Sequence, residues 1–292
     1  MAAIKTKGLR VKPGGKLDLE DWPTRIEPVY GSTQRYREIL ESHVSRLSEL
    51  QQLLYASERY AVLFIFQAMD AAGKDGAISH VMSGVNPQGC HIRSFKRPSE
   101  EELKHDFLWR ASRDLPERGY LGIFNRSYYE EVLVTRVHPQ LLRGEGVKAR
   151  KVDQVFWAER YHAIREFERH LHEDGTRVVK FYLHLSKEEQ RKRLLARLDD
   201  PQKNWKFNPD DLEERGHWKD YMRAYADCLA ATSTKDAPWY VIPADDKENA
   251  RLLISQVAVD TLAGLKMSYP KLDAGRRKEL KAARKQLSKK GA

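Results

Sequence analysis

A chain of 292 residues with 41% hydrophobic side chains is long enough to bury one large α/β core and needs no covalent staples to fold. Its two cysteines, Cys90 and Cys228, are too few for a disulfide framework or a zinc cluster, and no run approaches the roughly 18 apolar residues of a membrane span. The net charge of +10 sits mainly at the ends: residues 271–292 carry nine Lys or Arg against Asp273 and Glu279, so the stretch 31–270 is close to neutral and no nucleic-acid partner is expected.

The first residues contain no apolar core of the kind a signal peptide needs, so a soluble, cytoplasmic protein is expected. Residues 1–30, with Pro13, the Gly14-Gly15 pair, Pro23 and Pro28, read as an extended arm. From Ser32 to about Glu58, Tyr36, Ile39, Leu40, Val44, Leu47, Leu50 and Leu54 recur at helical spacing and predict an amphipathic helix. The run YAVLFIF (60–66) is too short for a helix and predicts a central strand covered on both faces. Further apolar runs at 91–95, 120–124, 177–185 and 238–243 alternate with helical patterns at about 73–84, 99–114, 150–174, 186–199, 209–233 and 246–265. This alternation predicts an α/β fold in which a parallel sheet carries helices on both faces. Within it, 186–237 reads as a helical hairpin rich in cations, among them Lys187, Arg191, Lys192, Arg193, Arg197, Lys203 and Lys206. Such a hairpin after a strand suits a lid over a phosphate site, making 31–270 one domain followed by a basic tail at 271–292.

The chemistry begins at FIFQAMDAAGKDGAISHV (64–81), a strand, a small-residue turn with Gly-Lys, and a helix. Backbone N–H groups at the positive end of a helix bind phosphate, and small residues are needed where the backbone crowds the ligand. Ala68, Ala71, Ala72, Gly73 and Gly76 supply them, and Lys74 can reach the phosphate being transferred. Two positions depart from the usual pattern, which has glycine at 68 and a metal-binding Ser or Thr at 75, here Asp75. Asp70 offers a carboxylate at the same phosphates, or else forms a turn.

A second polar cluster is expected at the end of the strand in GYLGIFNRSYYEE, where nucleotide kinases place an acid followed by arginine. Asn125 can serve Mg²⁺ only as a neutral ligand, while Arg126 is a planar, permanently charged fork suited to bridging phosphates. Glu130 or Glu131 could restore the missing acid or touch the acceptor; equally, both could be solvated. The ten histidines form no His-Glu-x-x-His motif and there is no Gly-x-Ser-x-Gly elbow.

Together with RLDDPQKNWKFNPDD, HWKDYMRAYADCLAATS and APWYVIPADDKENAR, these segments resemble the type-2 polyphosphate kinases over about residues 30–265. The Asn-Arg-Ser-Tyr-Tyr-Glu-Glu version is similar to the class that accepts both AMP and ADP. The resemblance implies a phosphate-loop kinase domain with a helical lid, like thymidylate kinase in outline. It also implies transfer of the terminal phosphoryl of inorganic polyphosphate to AMP or ADP, with ATP among the products, needing Mg²⁺ (or Mn²⁺), in a dimer or tetramer. Carried over by position, Lys74 holds the transferred phosphoryl, Asp70 organises the metal and Arg126 clamps the phosphates. Arg193 and Arg197 match the lid cations, and Asn86 and Lys96 lie near the ligands. The metal ligands on this reading are Asp70 and Asn125. An ATP-dependent nucleoside or nucleotide kinase, disfavoured by Asp75, and a non-catalytic polyanion-binding protein, suggested by the tail, are the alternatives.

Overall fold

Each apolar run forms a strand in the computed structural model, which describes residues 4–144 and 152–288. The strands are β1 (Ala61–Gln67), β2 (Cys90–Ser94), β3 (Leu121–Asn125), β4 (Thr176–His184) and β5 (Trp239–Pro243). They form one sheet in the order β2-β3-β1-β4-β5, and every neighbouring pair is parallel. The longer helices are α1 (Thr33–Ser57), α2 (Lys74–Val81), α4 (Glu130–Val137), α6 (Gln154–Glu173), α7 (Lys187–Asp199), α9 (Trp218–Thr232), α10 (Lys247–Gly264) and α11 (Ala274–Leu287). Shorter turns of helix are α3 (Trp109–Ser112), α5 (Leu141–Gly144) and α8 (Asp210–Gly216).

Alternation along the strands builds two cores. Leu63 and Ile65 of β1 point with Phe124, Val178, Tyr182 and Val241 toward one cluster, which includes Val132 of α4, Ile164 of α6 and Tyr225 of α9. Val62, Phe64 and Phe66 point the other way, into a cluster with Leu50 of α1, Ile78 of α2 and Ile254 of α10. All seven residues of β1 are buried, as a strand covered on both faces requires. Each large apolar side chain so buried contributes roughly 1.5–3 kcal/mol.

Local chemistry sets the boundaries. Ser32 caps α1 by accepting from the Arg35 amide, and Asp246 caps α10 by accepting from Glu248 and Asn249. The helix expected over 99–114 is broken up: Ser99 and Glu102 form a reciprocal capping box, but Asp106 accepts from the Leu108 amide and turns the chain before α3. The helix expected over 209–233 divides after Gly216 into α8 and α9. Within the segment read as a lid, α9 is a core helix, with Ala224, Cys228 and Leu229 fully buried.

The N-terminal arm lies on the body. Val11 donates to the Trp239 carbonyl at 2.9 Å and accepts from Ser233, so the arm covers the outer edge of β5. By contrast α11 is exposed along its whole length. Among the described residues no helix is long and apolar enough to cross a membrane.

Candidate active site

The carboxyl ends of β1, β3 and β4 converge, as parallel strands must, and place three loops side by side. After Gln67 the chain turns through Ala68–Gly73 and enters α2 at Lys74. Two residues of the turn are left-handed, Ala71 at φ 61° and Gly73 at φ 99°. Glycine adopts this conformation freely, whereas Ala71 holds it at a cost that the surrounding contacts must offset. Arg126, directly after β3, is also left-handed at φ 63°, and its amide donates to the Phe66 carbonyl.

These turns bring Lys74, Asp70 and Arg126 together. The Arg126 guanidinium meets the Asp70 carboxylate at 2.9 Å. Lys74 is 8% exposed, and its ammonium donates to the Ala68 carbonyl at 3.0 Å. Burial pulls the Lys74 pKa down and Arg126 adds to the effect, against Asp70, Glu130 and Asp75. Arg126 holds its proton more tightly than usual, chiefly because of Glu130 and next because of Asp70, with burial opposing. Glu130 is itself held by Gln67, whose amide donates to it at 2.8 Å.

The other positions read from the sequence divide. Asp75, in the first turn of α2, accepts from the Asn125 amide at 2.7 Å, so the loop position that lacks the usual hydroxyl touches the strand position that lacks the usual acid. Ala72 and Gly73 line the turn, and Gly76 lies in the first turn of α2. Lys96 lines the adjoining cavity. Arg193 is buried, and its guanidinium donates to the carbonyls of Ala72 at 2.8 Å and Ala244 at 2.7 Å while pairing with Glu189. It braces the back of the phosphate loop and does not reach over it. Arg197 pairs with Asp211 at 3.2 Å, tying α7 to α8. Asn86 is not brought to the site: it caps the turn before β2, at the opposite end of the sheet, by accepting from the Gln88 amide.

Several contributors carried no sequence signal. Gln190 of α7 donates to the Asp70 carbonyl at 3.0 Å, and Arg215 of α8 donates to Gln190 in turn. Asp211 lines the cavity, and burial, followed by Asp70, raises its pKa to about 6. The cavity, of about 920 Å³, is lined by Asp70 and Arg126, by Phe95, Arg110 and Tyr225, and by Asp211 and Glu214 of α8. Its volume suits a nucleotide.

Among the described residues no three His, Cys, Asp or Glu side chains gather as a metal cage. Asp70 and Asp75 with Asn125 are oxygen donors of the kind a hard divalent cation arriving with phosphates takes, because Mg²⁺ ordinarily uses one or two carboxylates and completes its shell with phosphate and water; here Asp70 pairs with Arg126 and Asp75 with Asn125.

Fold and site together define a phosphate-loop kinase. The family model for polyphosphate kinase 2 matches residues 30–270. The chain is 62% identical to the ADP-polyphosphate phosphotransferase of Rhodopseudomonas palustris over 98% of this chain and 99% of that one. It is 47% identical to the AMP/ADP-polyphosphate phosphotransferase of Meiothermus ruber, over 90% and 95% respectively. The crystal structure of polyphosphate kinase 2 from Arthrobacter aurescens superposes with a TM-score of 0.85 at 40% identity, covering 97% of this chain and all of that one. The chain belongs to the polyphosphate kinase 2 family.

Proposed function

We infer that this protein is a polyphosphate-dependent nucleotide kinase that passes the terminal phosphoryl of inorganic polyphosphate to AMP or ADP, reversibly and with Mg²⁺. The observation that carries the reading is the Asp70–Arg126 pair lining a nucleotide-sized cavity, with Lys74 buried in the loop beside it. The names of the relatives from Rhodopseudomonas and Meiothermus support the donor and both acceptors. The Asn-Arg-Ser-Tyr-Tyr-Glu-Glu sequence at 125–131 supports the class that uses AMP as well as ADP.

In the transfer, an oxygen of the acceptor's terminal phosphate forms a bond to the terminal phosphorus of polyphosphate. The anhydride bond behind that phosphorus breaks, and the shortened polyphosphate leaves with the electron pair. The attacking oxygen is already ionised, so alignment and charge neutralisation suffice and no general base is needed. Lys74 and the N–H groups opening α2 hold the transferred phosphoryl, and Arg126 bridges donor and acceptor while Asp70 fixes its orientation. Gln190 steadies the loop through the Asp70 carbonyl, and α7 with α8 shields the site from water. Mg²⁺, or Mn²⁺ in its place, would be held by Asp70, Asp75 and Asn125 and would neutralise charge on the phosphates. Donor and product anhydrides are close in energy, so concentrations set the direction.

The acceptor is tested by supplying polyphosphate and Mg²⁺ with AMP alone or ADP alone. ADP from the first and ATP from the second are expected. No product from AMP would restrict the enzyme to ADP.

A further inference from the structure

Arg110 of α3 lines the cavity together with Phe95, the residue directly after β2. Its guanidinium lies over the Phe95 ring at 4.9 Å from the centroid. One terminal nitrogen donates to the Lys96 carbonyl at 2.8 Å, and the other stands 3.7 Å from a Glu102 oxygen. The fork is thereby fixed in place, yet its Nε is sealed from solvent and has no hydrogen-bond partner. Only 14% of the side chain is exposed. Of its five donors, one makes a close hydrogen bond and one a long ion pair, so the fork keeps donors for an incoming anion.

Arg110 and Arg126 line the same cavity, Arg126 paired with Asp70 directly after β3 and Arg110 held over Phe95 directly after β2. An anion in that cavity therefore meets guanidinium groups carried by two different elements.

We propose that Arg110 binds the acceptor nucleotide's phosphate nearest the ribose, as a planar fork, and so sets the acceptor in line with the donor. For AMP this is the phosphate that attacks, gripped through oxygens that do not react; for ADP it is the one behind. The inference rests on the kinase reading above. It assigns Arg110 to the nucleotide alone, while Lys74 holds the transferred phosphoryl and Arg126 bridges donor and acceptor.

The test is equilibrium binding of AMP, ADP and adenosine to the full chain without polyphosphate, in the wild type and in Arg110→Met and Arg110→Lys. Arg110→Met should weaken AMP and ADP by at least ~10-fold and leave adenosine unchanged. At saturating nucleotide its KM for polyphosphate should match the wild type. Lysine should restore part of the loss, since it supplies charge without the fork. Arg110→Met that binds AMP normally, or that loses AMP and adenosine in equal proportion, overturns the assignment. A wild type that binds neither AMP nor ADP overturns the acceptor reading itself, and this inference with it.

Discussion

Asn125, at the end of β3, donates its amide to the Asp75 carboxylate in the first turn of α2 at 2.7 Å. In the usual phosphate-loop arrangement the loop position carries a hydroxyl and the strand position an acid. Here the acid is on the loop and the strand is neutral, so the site keeps one carboxylate across this contact. Asn125→Asp would set two carboxylates against each other, which cannot both stay ionised cheaply. It is expected to lower kcat/KM at least ~10-fold, and adding Asp75→Asn should recover most of that. A double-mutant cycle should show a coupling of at least about 1.4 kcal/mol; strict additivity would mean that the contact is unimportant.

Below the site, Lys180 and Glu168 are fully buried and meet at 2.5 Å. Glu168 also accepts from the hydroxyls of Tyr128 and Tyr129, which follow Arg126 in the chain. The pair therefore anchors the turn that presents Arg126. Lys180→Met strands a buried carboxylate and is expected to cost about 3–5 kcal/mol of stability, read from denaturant midpoints. An unchanged midpoint would contradict the anchoring role.

His184, near the end of β4, is 6% exposed, and burial lowers its pKa to about 4. The folded protein resists protonating it while the unfolded chain takes up a proton near pH 6.5. The folded pKa is the lower one, so stability falls as pH drops from about 6.5 to about 4 and then levels off for this group, with a loss of about 3 kcal/mol at most. His184→Leu should flatten that part of an unfolding-against-pH curve.

Arg193 braces the carbonyls of the phosphate loop from behind. Arg193→Lys keeps a charge but cannot bridge the loop and the Ala244 carbonyl in the same plane. A fall in kcat/KM of at least ~10-fold is expected, with a lower melting temperature. Direct phosphate binding by this residue would instead raise KM with the melting temperature unchanged.

Much of this was legible in the sequence. The β1 run is apolar at every position because both faces are covered, and Gly-Lys at a strand-to-helix junction has few other uses, so the sheet, the loop, Lys74, Asp70 and Arg126 could be read directly. Residues whose roles depend on three-dimensional return paths could not. Gln190, Arg110 and Asp211 lie far from the loop in the chain, and nothing in their neighbours marks them. Arg193 was legible as a lid cation but not as a brace, because charge alone does not say whether a guanidinium meets a phosphate or a backbone carbonyl. Asn86 lies close to the loop in sequence, but α2 carries the chain to the other end of the sheet.

Lys74→Ala and Asp70→Asn are each expected to cost at least ~100-fold in turnover, with the fold intact by circular dichroism. Near-normal turnover in either would reassign that residue.

The most direct test follows phosphoryl groups from donor to product. Purified protein with Mg²⁺, AMP and polyphosphate as the sole donor should form ADP and then ATP, each new anhydride matched by one phosphate lost from polyphosphate, and Lys74→Ala should abolish both. No nucleotide product from polyphosphate, alongside ADP formation from ATP plus AMP, would contradict the account.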